Sequence, residues 1–143
     1  DTILLGRKMT DGFVSYWTDY VKNKPESEEY PFAKKMVDYP KVVFTKTLDT
    51  SSWENTTLAK GDVVEEVNKI KNQTSMKDII VYGGAGFVSS LIKNNLIDEY
   101  HLFINPTAIG KGLEIFKEVE KFSLKLTESK TFDCGIVVNK YQP

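Results

Sequence analysis

An apolar run, Ile79-Ile80-Val81-Tyr82, passes without a break into Gly83-Gly84-Ala85-Gly86 and then into Phe87-Val88-Ser89-Ser90-Leu91-Ile92. A run with no polar alternation predicts a strand covered on both faces, the habit of parallel strands. Phe87, Val88, Leu91 and Ile92 then share one face of a helix. Parallel strands cannot be joined by a hairpin and need crossover segments. A chain built on this unit must therefore supply further strands and the helices that cover them.

The rest of the chain does so. Residues 2–6 (TILLG) predict a buried strand, and residues 9–21 a helix with Phe13, Tyr16, Trp17 and Tyr20 on an aromatic face that packs inward or in part forms a surface between subunits. A polar loop with two prolines follows over 22–31, then one or two helical turns over 32–37, ending before Pro40. Residues 41–48 (KVVFTKTL) are β-branched and aromatic and predict a strand. Residues 49–61 read as irregular, anchored by Trp53. Residues 62–72 predict a helix, with Asp62 and Glu65 at capping-box spacing and Val63, Val67 and Ile70 on one face. Strand 78–82, helix 86–95 and strand 99–105 come next, then a glycine-bearing loop over 106–119. Residues 122–130 and 135–142 alternate about Asp133-Cys134-Gly135 and predict an antiparallel hairpin. The order implies one α/β domain with a mostly parallel central sheet and helices on both faces, to which the hairpin adds an antiparallel edge. A length of 143 residues suits one domain.

Charge narrows the partners. The formal net charge is −1, so no broad field favours nucleic acid or an anionic membrane. A small molecule is the expected ligand. The single cysteine, Cys134, cannot form an internal disulfide and fits a reducing cytoplasm.

In an open α/β sheet ligands gather at the carboxyl ends of the strands. Gly83, Gly84 and Gly86 lie at such an end and open a helix, whose first N–H groups and positive dipole end suit a phosphate. The turn satisfies neither standard nucleotide motif. Ser89 stands where a third Rossmann glycine belongs, and no Gly-Lys-Ser/Thr follows. Taken alone it fits an unliganded tight connection as well as a phosphate site. A second strand end shifts the balance. Gly6 is followed by Arg7 and Lys8 at a predicted helix N-terminus, where acidic residues are electrostatically favoured. Two cations there make sense if an anion binds between them, with the Arg7 fork gripping a phosphate and Lys8 adding a point charge. Thr45, Lys46 and Thr47 close a third strand with hydroxyls and a cation.

These segments together resemble the dihydrofolate-reductase-like superfamily, closest to the group that includes the reductase domain of bacterial riboflavin biosynthesis. The resemblance is carried by DTILLGRKMTDGF, by DIIVYGGAGFVSSLIKNNLIDEYHLFINPTAIGKGLEIF and by the closing LKLTESKTFDCGIVVNKYQP, nearly the whole chain. It implies NADPH as cofactor and hydride transfer to a pyrimidine- or pterin-like substrate, similar to 5-amino-6-(5-phosphoribosylamino)uracil reductase. It also implies that Gly6, Arg7 and Lys8 hold the adenosine phosphates, with Thr45, Lys46 and Thr47 beside the 2′-phosphate and ribose. Gly83, Gly84, Ala85, Gly86, Phe87 and Val88 would cradle the pyrophosphate and approach the nicotinamide. Asn105 and Thr107 are candidates for the substrate side. Met9 stands where that group has Thr, with Thr10 following. The group carries a strand and loop ahead of DTILLGRK, so the chain reads as N-terminally truncated relative to it, and no residue here is named as proton donor. A homodimer is the group's habit. Two other readings stay open, a nucleotide-binding or assembly protein without reductase turnover, and a dihydrofolate reductase. Asp98, Glu99, His101 and Cys134 read as structural or surface residues, and no metal site is indicated.

Overall fold

The computed structural model describes residues 2–73 and 77–143. Its contacts divide the chain into two compact units, Asp1–Val88 and Ser89–Pro143. The first contains β1 (Thr2–Gly6), α1 (Arg7–Asn23), α2 (Tyr30–Asp38), β2 (Lys41–Phe44), β3 (Thr56–Ala59), α3 (Val63–Gln73), β4 (Ile79–Val81) and the start of α4 (Ala85–Lys93). Its four strands form one parallel sheet in the order β3-β2-β1-β4. The chain steps outward from β1 through β2 to β3, then returns to the far side of β1 as β4. Right-handed crossovers in these two directions put α1 and α2 on one face and α3 on the other.

The strand covered on both faces is β1. Ile3 and Leu5 join Phe13 of α1, Met36 of α2 and Val43 of β2 in one core cluster. Leu4 alternates to the opposite face and is also fully buried. Each such side chain contributes about 1.5–3 kcal/mol by leaving water. The apolar run at 78–82 departs from its sequence reading. Its strand, β4, lies at the edge of the described sheet with β1 on one side only, and Ile80 is 40% exposed. A second difference is β3, which occupies residues read as irregular. Thr56-Thr57-Leu58-Ala59 pairs in register with Lys41 to Phe44, yet four residues at a sheet edge carry too short a pattern to stand out.

Helix ends follow local chemistry. The Asp62 carboxylate accepts from the Val64 and Glu65 N–H groups at 2.9 and 3.3 Å, capping α3. The C-terminus of α2 is finished from outside. Lys41 is buried to 2% exposure, and its Nζ donates to the Val37 and Tyr39 carbonyls at 2.6 and 2.8 Å. Burial pulls the Lys41 ammonium below its ordinary value, with Asp38 and Glu54 opposing more weakly. The unfolded chain therefore binds more protons than the folded one between the depressed value and 10.5. Lys41 should make stability rise with pH across that alkaline window. Urea melts of wild type and Lys41→Met at neutral and alkaline pH check this. The difference in stability should change with pH in that direction, and Lys41→Met should lose about 1–2 kcal/mol at neutral pH through the two abandoned carbonyls.

The second unit holds the rest of α4 with β5 (Tyr100–Ile104), β6 (Lys125–Thr131) and β7 (Val137–Gln142). These strands form a separate antiparallel sheet, ordered β5-β7-β6. The closing hairpin is present. Gly135, at φ 86°, donates to the Phe132 carbonyl at 2.8 Å, while the Phe132 N–H reaches Ile136 at 2.9 Å. The strand at 99–105 does not extend the parallel sheet. It runs antiparallel to β7 from Tyr100↔Tyr141 to Ile104↔Val137. Strand direction is set by the partner, and side-chain alternation is the same for either direction. Within the described residues no helix is long and apolar enough to cross a membrane.

Candidate functional site

The topology brings three of the singled-out segments to one edge of the parallel sheet. Gly6 ends β1 and pairs in register with Phe44, which ends β2, while β4 flanks β1 on the other side. Three adjacent strand ends at roughly 4.8 Å spacing span about 10 Å. The junction of β1 and β4 is the point where the strand order reverses, the general location of ligand crevices in such sheets.

Backbone bonds lock the two glycine turns together. The Gly6 N–H donates to the Gly83 carbonyl at 2.9 Å, and the Tyr82 N–H to Leu4 at 3.2 Å. Gly83 has φ 103°, a conformation L side chains rarely adopt. The Gly84 carbonyl accepts the Phe87 and Val88 N–H groups, both at 3.0 Å, so α4 turns inward at once. Gly86 is exposed, and a Cβ built on it meets no atom within 4 Å. Gly6 is required for a packing reason. A Cβ there would come within 3.0 Å of the Phe87 Cβ. Phe87 instead passes over the bare glycine and stacks on Phe44, ring centroids 4.6 Å apart. Ala85 and Val88 are half-buried.

Arg7 and Lys8 open α1. Their side chains are exposed, and among the described residues neither makes an ion pair or side-chain hydrogen bond. The first turn of α1 contains no acid, and Gly6 offers no side-chain cap. Both cations thus stand at the positive end of a 17-residue helix whose first turn holds no acid, and among the described residues neither is ion-paired. Met9, in place of a hydroxyl residue, lays its sulfur 3.4 Å from where a Gly83 Cβ would be. The Thr10 hydroxyl is no substitute. The residue is fully buried, and its Oγ1 donates to the Gly6 carbonyl at 3.2 Å.

The third strand end is more self-contained than its sequence suggests. Thr45 is buried, and its Oγ1 accepts from the Thr47 and Leu48 N–H groups at 3.1 and 3.2 Å, closing a hydroxyl turn. Lys46 spends two of its three donors on the Lys60 and Gly61 carbonyls, at 3.1 and 2.8 Å. Only one donor is left for a ligand. Thr47 is exposed.

Asn105 and Thr107 belong to the second unit, where both are exposed and the Thr107 N–H donates to the Asn105 carbonyl at 2.8 Å. Glu99 and His101 bond each other at the surface, and that hydrogen bond holds the Glu99 carboxyl below its usual range. Cys134 is exposed and unpaired. No group of three metal-ligating side chains occurs among the described residues. Tyr82, directly before Gly83, is half-buried and packs against the core cluster that contains Phe13.

The residues at the sheet edge fit a dinucleotide phosphate. They offer a positive-φ turn, open space over Gly86 and two unbalanced cations on the neighbouring helix start.

Known proteins resemble this chain in sequence or in fold. YyaP of Bacillus subtilis, an uncharacterized protein, is 36% identical over 140 residues, which cover 96% of this chain and 71% of YyaP. A solved structure from Shewanella sp. PV-4, assigned to riboflavin biosynthesis, superposes with a TM-score of 0.75 at 19% identity, covering 99% of this chain and 73% of the other. The diaminohydroxyphosphoribosylaminopyrimidine deaminase/5-amino-6-(5-phosphoribosylamino)uracil reductase of Thermotoga maritima superposes with a TM-score of 0.65 at 17% identity. This chain spans 45% of its length. At those identities the structures establish a shared fold. The family match goes further, running over residues 1–138. The chain belongs to the RibD C-terminal domain family.

Proposed function

We propose that the protein is an NADPH-dependent reductase that delivers hydride to a C=N or C=O bond of a pyrimidine- or pterin-like small molecule. The observation carrying this reading is the pair of bonded glycine turns, Gly6 to Gly83, with Arg7 and Lys8 unbalanced at the helix start beside them. The dihydronicotinamide supplies the hydride when bound. The chain's own part is to hold the dinucleotide and orient it. Gly83 to Val88 present backbone to the pyrophosphate, while Arg7, Lys8 and the remaining donor of Lys46 meet phosphate charge. These cations favour NADPH over NADH through the 2′-phosphate. Family membership supports the reaction class, and the uracil reductase of Thermotoga maritima supports a pyrimidine as substrate. The family match takes in both units, which supports one reductase domain. A cytoplasmic homodimer, pairing through the outer edge of β6, is part of the same proposal, and sedimentation as a monomer would remove the dimer.

A second reading has one observation behind it. Met9 brings no hydroxyl to the glycine turn, and Thr10 turns its own back into the helix. A nucleotide-binding protein without turnover would tolerate that loss. Oxidation of NADPH by the full-length chain, followed by absorbance with 5-amino-6-(5-phosphoribosylamino)uracil and dihydropterin as acceptors, separates the two. Acceptor-dependent oxidation supports the reductase. Firm NADPH binding with no oxidation in any acceptor supports the second reading.

A further inference from the structure

Met9 covers the glycine turn alone. Chain neighbours apart, a Cβ built at Gly83 has only the Met9 sulfur within 4 Å, at 3.4 Å, and one built at Gly84 has only the Met9 Cβ, at 4.0 Å. The turn beneath is the one that holds φ 103° at Gly83 and bonds its carbonyl to the Gly6 N–H at 2.9 Å. A chemical change at the Met9 sulfur therefore acts on the peptide that joins two strand ends.

The chain has three methionines. Met76 lies outside the described residues. Met36 is 2% exposed and belongs to the core cluster, whereas Met9 packs against that cluster from its rim and is only half-buried. Of the two described methionines, Met9 is thus the one open to a solvent-borne oxidant. A thioether reacts with a peroxide by a two-electron oxygen transfer. The sulfur lone pair attacks one peroxide oxygen, the S–O bond forms as the O–O bond breaks, and the other oxygen leaves as water. The sulfur is oxidised and the peroxide reduced.

The product is a polar sulfoxide where an apolar sulfur had rested on the turn. Its oxygen has two directions open to it. Towards Gly83 it crowds a contact already at van der Waals distance. Away from Gly83 it sets a partial negative charge over a turn whose neighbours, Arg7 and Lys8, suit an anion. Either direction works against a phosphate. A sulfoxide oxygen only accepts hydrogen bonds, so it does not restore the donor that a hydroxyl residue would bring.

We propose that Met9 is a reversible oxidation site that switches the glycine turn, the thioether admitting the dinucleotide phosphate and the sulfoxide excluding it. This rests on the phosphate site argued above and adds its regulation. Return to the thioether requires thiol-dependent sulfoxide reductases.

The test uses the full chain carrying Cys134→Ser and Met76→Leu, which leaves Met9 and Met36 as its only sulfur atoms. It is treated with hydrogen peroxide and mapped by mass spectrometry of its peptides. Met9 should gain one oxygen while Met36 stays unchanged. NADPH affinity should then fall about fivefold or more, and the melting temperature without dinucleotide should drop by about 3–6 °C. A pair of methionine sulfoxide reductases, one for each epimer, should restore both. Met9→Leu in the same background, compared with itself before and after peroxide, should show neither change. Oxidation of Met36 ahead of Met9 overturns the proposal. So does a Met9 sulfoxide that leaves NADPH affinity unchanged, and in both cases the reductase reading stands. If the untreated chain does not bind NADPH, the reductase reading falls first and takes this proposal with it.

Discussion

Gly83→Val should cost about 2–3 kcal/mol of stability and lower NADPH affinity at least roughly tenfold. Position 83 holds φ 103°, and β-branched residues are the least tolerant of positive φ. The new side chain would also press on the Met9 sulfur, already 3.4 Å from the Cβ position. Relaxing φ would swing the Gly83 carbonyl off the Gly6 N–H, breaking the 2.9 Å bond between the two turns. Both effects act on the same peptide, so fold and binding should fail together. Thermal melts with and without NADPH measure them. A loss of roughly 5–10 °C in melting temperature is expected for a chain of this size. An unchanged melt would mean that the turn is not held as described.

Arg7→Gln should separate what Gly83→Val joins. NADPH affinity should fall about tenfold to a hundredfold, the worth of a charge-assisted, bidentate phosphate contact. NADH should be affected less, because it lacks the 2′-phosphate. Stability should hold steady or rise by about 0.3–1 kcal/mol, since removing a cation from the positive end of α1 relieves an unfavourable interaction. That sign is diagnostic. A residue whose role was structural would weaken the fold when removed, and one facing only solvent would change neither quantity. Fluorescence titration with both dinucleotides, alongside urea unfolding, reads all three outcomes.

The parallel half of the molecule was largely legible because its signals are local and repeated. Ile3-Leu4-Leu5 declares a strand buried on both faces, Asp62 a helix start, and Gly6 and Gly83 the turns at the sheet edge. What escaped was information held by partners. The run Ile79-Ile80-Val81 carries the pattern of a covered strand, yet in the described sheet it lies at an edge. Thr56 to Ala59 becomes a strand only by lying beside Lys41 to Phe44. The direction of β5 is decided by β7, more than thirty residues downstream. The site shows the same division. Residue type flagged Lys46 as a phosphate ligand, but type could not reveal that two of its donors go to the Lys60 and Gly61 carbonyls. It could not show either that Thr45 turns its hydroxyl to Thr47 and Leu48.

The central claim is a site at the carboxyl ends of β1, β2 and β4 that recognises the phosphates of NADPH. Titration of the wild-type chain with NADPH and NADH under identical salt conditions tests it most directly. NADPH should bind at least about tenfold more tightly than NADH, the difference expected when one phosphate gains a charge-assisted contact. Equal affinity for the two dinucleotides, or no binding of either, would contradict it.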